Sequence, residues 1–199
     1  MNWLAHLHLA ALVQADPASS LLPDLINTRH LHQFTPEQQY AISVHQAIDR
    51  FTDQHPQVKV SKQRITPPFT RFAGILIDVF YDYCLSQSWE FYATASLNEF
   101  IQATHVQLAQ TRDLPNPAPT IIKHLIEQHW LSSYQTLAGI ELSLVRMSKR
   151  FKRPIQLSGA VENLRLIETE LMDDFNQFYP ELMAHIQAIS IGLPPKGPN

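Results

Sequence analysis

Three polar residues, His45, Asp49 and Asp53, are spaced four apart in the segment SVHQAIDRFTDQHP, residues 43–56. With a rotation of about 100° per residue, they fall on the shoulder of a helix, between an apolar stripe and the fully exposed face. Side chains on this shoulder can reach a groove between packed helices, where an imidazole and carboxylates could bind a metal ion. A solvated polar face gives the same pattern, so both interpretations stay open for this segment alone.

A second acidic pair, Asp78 and Asp82, provides the only charges between Arg71 and Glu90, in RFAGILIDVFYDYCLSQSWE. Four residues apart on a helix, the two carboxylates share a face and repel each other. Burying them in such an apolar segment is costly unless a cation or hydrogen-bond donors compensate. We therefore expect a divalent cation, or a partner Arg or His, beside this pair. The structural alternative is one buried salt bridge and one surface Asp.

Histidines add nitrogen ligands to this acidic half of the chain. Six of the nine Asp residues lie within the first 82 residues, together with His6, His8 and His45. Oxygen and imidazole ligands suit Mn²⁺, Mg²⁺ or Fe²⁺, with zinc as a further option. Such an ion can activate water and polarise a phosphoryl oxygen, which favours phosphoester hydrolysis. On a helix His6 and His8 point about 200° apart, so both can face one site only on an extended segment, and a core histidine is the alternative.

Composition and proline spacing indicate the elements that would position these residues. The chain of 199 residues is 45% hydrophobic and has only 5 Gly, which favours a packed, mainly helical protein. Thr35 followed by Pro36 predicts a helix start, and His55-Pro56 predicts its end. Ser20 is predicted to cap a short helix. A short N-terminal element is expected at about 2–14, and other helices at about 57–65, 68–92, 96–111, 118–137, 140–151, 157–177 and 180–190.

The predicted fold class is therefore all-α, with one helical domain over residues 1–190 and a flexible Pro/Gly-rich tail at 191–199. The single Cys84, expected to be buried, excludes an internal disulfide and a cysteine-based zinc site. A formal net charge of -3 gives no basic field for nucleic acid or an anionic membrane. We find no apolar run of about 18 residues and no basic region before the N-terminal apolar stretch, so we expect a cytoplasmic protein.

Four ordered motifs carry a family resemblance: MNWLAHLHLA, LLPDLI, VHQAIDRFTDQHPQV and GILIDVFYDYCLSQSW. In this order and spacing they resemble the acyl carrier protein phosphodiesterase family, specifically up to about residue 92 and more loosely to the end. The resemblance implies a helical fold distantly related to HD-type metal phosphohydrolases. It also implies hydrolysis of the phosphodiester between 4′-phosphopantetheine and a serine of holo-acyl carrier protein, with a divalent metal, most commonly Mn²⁺.

The resemblance also implies roles for individual residues. Asp24 matches the essential aspartate of the family, and the expected catalytic residues are Asp24, His6 and His45. The metal ion is expected to activate water, while His6 or His45 protonates the departing serine oxygen. Within the opening segment, Asp53 is expected to cap the turn and His55 to be structural. The expected metal ligands are Asp24, His45, Asp49, Asp78 and Asp82.

A basic segment, RMSKRFKR, stands out in a mildly acidic chain. Acyl carrier proteins are acidic, so this segment is predicted to dock one and to raise the encounter rate in a salt-dependent way. A solvated helix end whose cations complement the helix dipole is the alternative. Its basic residues are Arg146, Lys149, Arg150, Lys152 and Arg153.

The chain departs from the family pattern at Ser19-Ser20 and Pro23, where the family usually has Gly-Asn and a small residue, and at Tyr83, where it usually has His. Tyrosine does not replace imidazole as an acid or ligand at neutral pH, which predicts a modified mechanism or a reduced rate if that histidine acts in the site. Two alternatives follow. One is the same chemistry on a nucleotide or another small phosphoester, and the other is a non-catalytic relative that binds acyl carrier protein.

Overall fold

The described part of the chain is built from α-helices and contains no β-strand, which confirms the all-α prediction. The computed structural model describes residues 1–149, 151 and 156–190; for residue 190 it describes the backbone alone. The predicted tail at 191–199 lies outside this part. None of the described helices combines the length and hydrophobicity of a membrane span. The α-helices are α1 (Trp3–Leu12), α2 (Pro17–Ser20), α3 (Leu22–Leu25), α4 (Pro36–Gln54), α5 (Pro56–Gln63), α6 (Ala73–Gln87), α7 (Leu97–Gln110), α8 (Ala118–Glu127), α9 (Trp130–Ser133), α10 (Leu137–Ser148) and α11 (Val161–Ser190).

Helix α1 lies inside the protein, packed against α2, α4 and α6, and its residues 3–10 are all buried. Its first-turn amides have no partner within the helix and need acceptors from elsewhere. Asp82 on α6 is the acceptor for two of these amides. Its carboxylate accepts hydrogen bonds from the amides of Leu4 at 2.7 Å and Ala5 at 3.2 Å. Burial raises the pKa of Asp82 to about 7, against the effect of these two amides. This carboxyl group therefore fixes where α1 begins against α6.

Helix α4 begins and ends where the sequence predicts. The Thr35 hydroxyl accepts a hydrogen bond from the Gln38 amide at 3.3 Å, and the Gln38 side chain accepts one from the Thr35 amide at 3.1 Å. This reciprocal cap satisfies two amides that the first turn leaves free. At the other end the helix stops before His55, whose Nδ1 accepts a hydrogen bond from the Gln57 amide at the start of α5. His55 is thus structural, as predicted.

Two predicted helix boundaries are wrong. The helix expected at 118–137 ends at Glu127, because His129 takes a left-handed conformation with φ of 51°. Such a residue ends a helix, and histidine gives no sequence signal comparable to glycine. The break expected after residue 177 is absent, since α11 continues through Pro180. Packing explains this continuity: Phe178, Tyr179 and Leu182, on both sides of the proline, are fully buried.

An aromatic cluster fills the centre of the core between α6 and α11. Tyr81 lies 5.3 Å from Phe175 and 5.5 Å from Phe178 between ring centroids. Phe175 in turn stacks on Tyr179 at 4.8 Å. Cys84, on the same helix as Tyr81, is fully buried as predicted. These large rings hold α11 along the helix that carries Asp82.

A buried carboxylate also joins α5 to α11. Asp174 is 2% exposed and binds the Arg64 guanidinium through two hydrogen bonds, at 2.7 and 3.0 Å. Ser61 and Gln57 donate to the same carboxylate. Burial alone would raise the pKa of Asp174, but these hydrogen bonds outweigh it and hold that pKa below its ordinary value. Four donor groups therefore compensate one buried charge.

Substitution Asp174→Asn removes this charge and is expected to lower the free energy of unfolding by about 3 kcal/mol at pH 7. Because the folded-state pKa of Asp174 is depressed, its contribution is present above about pH 4 and shrinks as the pH falls below that value. Urea unfolding of both proteins at pH 7 and at low pH measures the difference. The control Glu127→Gln affects an exposed pair with Lys123 and should cost less than about 0.5 kcal/mol. Equal costs for the two substitutions would contradict the assigned role of Asp174.

Candidate functional site

Three predicted site residues from two helices meet at one point. His6 lies on α1, and His45 and Asp49 lie one turn apart on α4. The Nε2 atom of His6 is 3.2 Å from one Asp49 oxygen, and the Nε2 atom of His45 is 3.2 Å from the other. All three potential ligand atoms lie within 4.8 Å of one another. We call these residues the His-His-Asp cluster.

The two imidazole rings of this cluster lie flat against each other. Their centroids are 3.8 Å apart and their planes differ by 7°. His6 is buried, and neither of its ring nitrogens makes a hydrogen bond with any residue that the structure describes. Its Nε2 is close to Asp49 in distance, but the angle is not that of a hydrogen bond. A buried nitrogen without such a partner is costly unless another group satisfies it.

A main-chain carbonyl orients His45. The Nδ1 atom of His45 is 2.7 Å from the carbonyl oxygen of Ser20, which can only accept, so Nδ1 carries the proton. In the neutral ring Nε2 then has the free electron pair and faces Asp49. Ser20 is not the helix cap that the sequence predicted: Leu21 precedes α3, and the Ser20 hydroxyl donates to Pro17 inside α2. The short turn between the two helices leaves its carbonyl pointing at the histidine.

Asp24, on α3, lies beside the cluster. Its Oδ1 is 3.8 Å from Nε2 of His45, and its Oδ2 accepts a hydrogen bond from the indole nitrogen of Trp3 at 2.9 Å. The Asp24 side chain is 35% exposed and lines a cavity. The sequence analysis missed Trp3. Its spacing of three residues from His6 puts both on one face of α1, which is the signal that could have found it.

Opposing effects set the charges in the cluster. Burial lowers the pKa of His6 to about 4, and the neighbouring His45 adds to this effect. Burial would also lower the pKa of His45, but Asp49 and Asp24 outweigh it and raise that pKa. Burial would raise the pKa of Asp49, yet the two imidazoles hold it well below its usual range. The cluster therefore favours a carboxylate facing two imidazoles of which His6 is neutral at pH 7.

The second acidic pair is not brought to the cluster. Asp78 binds the amino group of Met1 at 2.9 Å, and Asp82 binds the backbone of α1 as described above. The partner for these carboxylates is thus an ammonium group and two amides. Asp53 lies one turn beyond Asp49, is exposed, and pairs with Lys62 at 3.0 Å. Of the five predicted metal ligands, the structure therefore brings together Asp24, His45 and Asp49. His6, which was predicted as a catalytic residue, joins them.

The helical form of α1 separates its two histidines, as the angular argument requires. Nδ1 of His8 lies 2.7 Å from the Tyr179 hydroxyl, and its ring packs against Trp89. His8 is accordingly a core histidine with a hydrogen-bond partner. Tyr83, which replaces the usual family histidine, donates its hydroxyl proton to Glu168 on α11 at 2.6 Å. This hydrogen bond links α6 to α11.

The basic segment is described only in part. Arg150, Lys152 and Arg153 lie outside the described residues. The guanidinium of Arg146 stands 4.9 Å from the ring centroid of Trp130 and donates to the hydroxyl of Ser143 at 3.0 Å. The Arg146 side chain is partly buried, and this burial lowers its pKa. Lys149 is exposed at the end of α10.

The donor set of the His-His-Asp cluster fits a divalent metal ion. Two imidazole nitrogens and a carboxylate are ligands for Mn²⁺, Fe²⁺ or Zn²⁺, and the nearby Asp24 offers another oxygen. The Ser20 carbonyl on Nδ1 of His45 is the outer hydrogen bond that metal-bound histidines usually have. The Nε2 atom of His6, which has no hydrogen-bond partner in the described structure, would be satisfied by such an ion.

Comparison with known proteins gives a consistent result along the chain. The family model described as acyl carrier protein phosphodiesterase matches residues 1–182. A relative of that name from Enterobacter sp. (strain 638) is 32% identical over 92% of this chain and 96% of its own. Relatives of the same name from Yersinia enterocolitica and Shigella boydii are 30% and 32% identical, over 94% and 92% of this chain and 98% and 96% of theirs. No solved structure is significantly similar, so the distant HD-type relationship stays a prediction. By the family model and these relatives, the chain belongs to the acyl carrier protein phosphodiesterase family.

Proposed function

We propose that this protein is a metal-dependent phosphodiesterase that removes 4′-phosphopantetheine from the serine of holo-acyl carrier protein. The carrying observation is the stacked pair His6 and His45, with the Nε2 atom of each 3.2 Å from a different oxygen of Asp49. Family membership supplies the carrier protein as the expected substrate, since the matching relatives are named acyl carrier protein phosphodiesterase.

His6, His45 and Asp49 are the residues that would hold the metal ion, and Mn²⁺ is the expected ion, with Mg²⁺ and Fe²⁺ as alternatives. When bound, such an ion supplies a water nucleophile at neutral pH and polarises the phosphoryl oxygen. The protein keeps the donors ready for it: the Ser20 carbonyl fixes the tautomer of His45, and burial keeps His6 neutral. This assignment differs from the sequence-based one by including His6, by giving Asp24 another role, and by leaving Asp78 and Asp82 to the anchoring of α1.

Asp24 is the side chain left to move the proton. Both histidine Nε2 atoms face Asp49, and Nδ1 of His45 is occupied by the Ser20 carbonyl, so neither Nε2 is free to protonate a leaving group while it holds a metal ion. Asp24 stands beside them and is partly exposed to the cavity. We assign it to accept the proton of the attacking water and to pass it to the departing serine oxygen, which needs a proton to leave. The indole of Trp3 holds this carboxylate in place.

The departures from the family pattern are compatible with catalysis. Tyr83 points its hydroxyl to Glu168, away from the residues of the cluster, and Ser20 contributes a backbone atom that any residue would provide. Neither substitution removes a donor from the cluster. This supports an enzyme over the alternative of a non-catalytic carrier-binding relative.

An exposed strip on α10 suits an acidic protein partner. Leu142 is 57% exposed and Val145 39%, and with Lys149 they follow a spacing of three and four residues along one helix face. Apolar side chains next to a cation offer both contact area and electrostatic complementarity to an acidic carrier protein. We propose that this strip docks the carrier protein, the role predicted for the basic segment whose residues Arg150, Lys152 and Arg153 lie outside the described residues.

The metal assignment is tested by the pair Asp49→Asn and Asp53→Asn, two substitutions one turn apart on α4. Asp49→Asn should weaken Mn²⁺ binding by about 10- to 100-fold or more, because it removes a charged ligand. Asp53→Asn should leave the affinity within about twofold, since Asp53 is exposed and pairs with Lys62. Isothermal titration calorimetry measures both. Equal Mn²⁺ affinities for the two variants would rule out the His-His-Asp cluster as the site.

The reaction is tested by incubating the protein with holo-acyl carrier protein and Mn²⁺ and by detecting free 4′-phosphopantetheine by mass spectrometry. Chelation of the metal should abolish release. Substitution Asp24→Asn should lower kcat by about 10²- to 10⁴-fold, the range for loss of a general acid-base group, while Mn²⁺ affinity changes far less. Full activity in the presence of chelator would show that the reaction needs no metal ion. An unchanged kcat in Asp24→Asn would remove Asp24 from the mechanism.

Docking is tested by Lys149→Glu, with Lys59→Glu on α5 as the matched control. The first should raise KM for holo-acyl carrier protein several-fold at low salt and change kcat less, because long-range attraction acts on encounter. The difference from wild type should shrink as ionic strength rises. The control, which reverses a charge outside the strip, should behave as wild type. If both variants have the wild-type KM at low salt, the strip does not dock the carrier protein.

A further inference from the structure

Two cavities lie side by side next to the cluster. One has a volume of about 220 Å³ and the other of about 200 Å³. Asn2, Trp3 and Met147 line both, so the two cavities are adjacent. We call this combined space the tryptophan groove.

The groove extends from the proposed reaction site to an aromatic pocket. At one end its wall includes Asp24, whose Oδ1 is 3.8 Å from Nε2 of His45. At the other end it reaches Trp130 and Arg146. Trp3 spans the middle: its indole nitrogen binds Asp24, and its ring stacks on Trp130 with centroids 5.4 Å apart. A molecule with its phosphodiester at Asp24 would therefore meet this groove directly.

The walls of the groove suit a narrow chain that carries a few amide groups. Trp3, Trp130 and Met147 give apolar surface, while Asn2 and Gln128 bring side-chain amides. Binding sites of this kind, apolar with a few placed polar groups, select a ligand by shape and by hydrogen bonds.

Arg146 adds a cation that has no carboxylate partner among the described residues. Its guanidinium is instead held by the ring of Trp130 and by the hydroxyls of Ser133 and Ser143. Guanidinium has five N–H donors, so donors remain for carbonyl oxygens of a ligand. Because these contacts fix the side chain before a ligand arrives, little rotational freedom would be lost on binding.

We propose, resting on the function proposed above, that the tryptophan groove holds the pantetheine arm of the substrate. The phosphodiester lies at the Asp24 end, the arm runs past Trp3, and its amide carbonyls meet Arg146 near Trp130. The arm is an uncharged chain with two amide groups, which matches apolar walls with amide and guanidinium donors at their edges. Trp130 and Arg146 are thus specificity residues that contact the part of the substrate that is not cleaved.

The experiment measures binding of pantetheine, the arm without its phosphate, to the full-length, Mn²⁺-loaded protein by titration calorimetry. Trp130→Ala should weaken this binding by about tenfold, since it removes a large apolar contact. Arg146→Gln should weaken it several-fold by removing the guanidinium. Phe91→Ala is the matched control, because Phe91 is an 84% exposed aromatic residue outside the groove, and it should bind as wild type.

Turnover provides a second measurement. The ratio of kcat/KM for holo-acyl carrier protein to that for bis(4-nitrophenyl) phosphate, a diester without the arm, should fall about tenfold in Trp130→Ala. Thermal unfolding of each variant identifies a loss caused by misfolding, and if Trp130→Ala does not fold, Arg146→Gln carries the test.

The outcomes separate the groove from the reaction. If wild type releases 4′-phosphopantetheine but pantetheine does not bind, or binds all variants equally, the groove assignment is overturned and the proposed function stands. If no release occurs, the proposed function fails, and pantetheine binding decides the groove by itself. Weaker pantetheine binding in both groove variants, with the Phe91→Ala control at the wild-type level, supports the assignment.

Discussion

The interaction on which the site depends is the bond between Asp82 and the first amides of α1. A helix buried over most of its length has few ways to satisfy the amides of its first turn, and here one carboxylate on α6 takes two of them. This contact fixes the position of the first turn of α1. It thereby fixes the position of His6 relative to His45 on α4. Because the rings are only 3.8 Å apart, the cluster exists at this one relative position of the two helices.

The acidic residues of the core and of the cluster divide into structural and chemical groups according to the donors that they face. Asp82 faces backbone amides and Asp174 faces a guanidinium and neutral donors, and each is saturated by these contacts. Asp49 instead faces two imidazole nitrogens without hydrogen-bond geometry to His6, and Asp24 keeps an exposed side. Asp82 and Asp49 each have a polar residue four positions earlier, Asp78 and His45, so only the partners distinguish a carboxylate that anchors from one that can react.

The sequence predicted much of the fold and part of the site. Helix α4 could be placed at both ends, because Thr35, Pro36 and the His55-Pro56 pair act locally. Within that helix, the spacing of His45 and Asp49 predicted that they share a face, and their side chains lie 3.2 Å apart. The role of Asp78 and Asp82 could not be predicted, since their partners are an amino group and backbone amides about eighty residues away in the chain. The end of α8 at His129 had no readable signal either, because histidine does not mark a left-handed residue as glycine does.

The contact between His45 and Ser20 has a consequence for how functional positions are recognised. The atom that orients the imidazole is a carbonyl oxygen, and the side chain of residue 20 is turned to Pro17 instead. A mismatch in residue type at this position therefore leaves the chemistry untouched, although a motif comparison counts it as a loss. The path of the backbone between α2 and α3 holds this carbonyl in place, and Leu21, which joins the two helices, is as much a part of the site as the ligands.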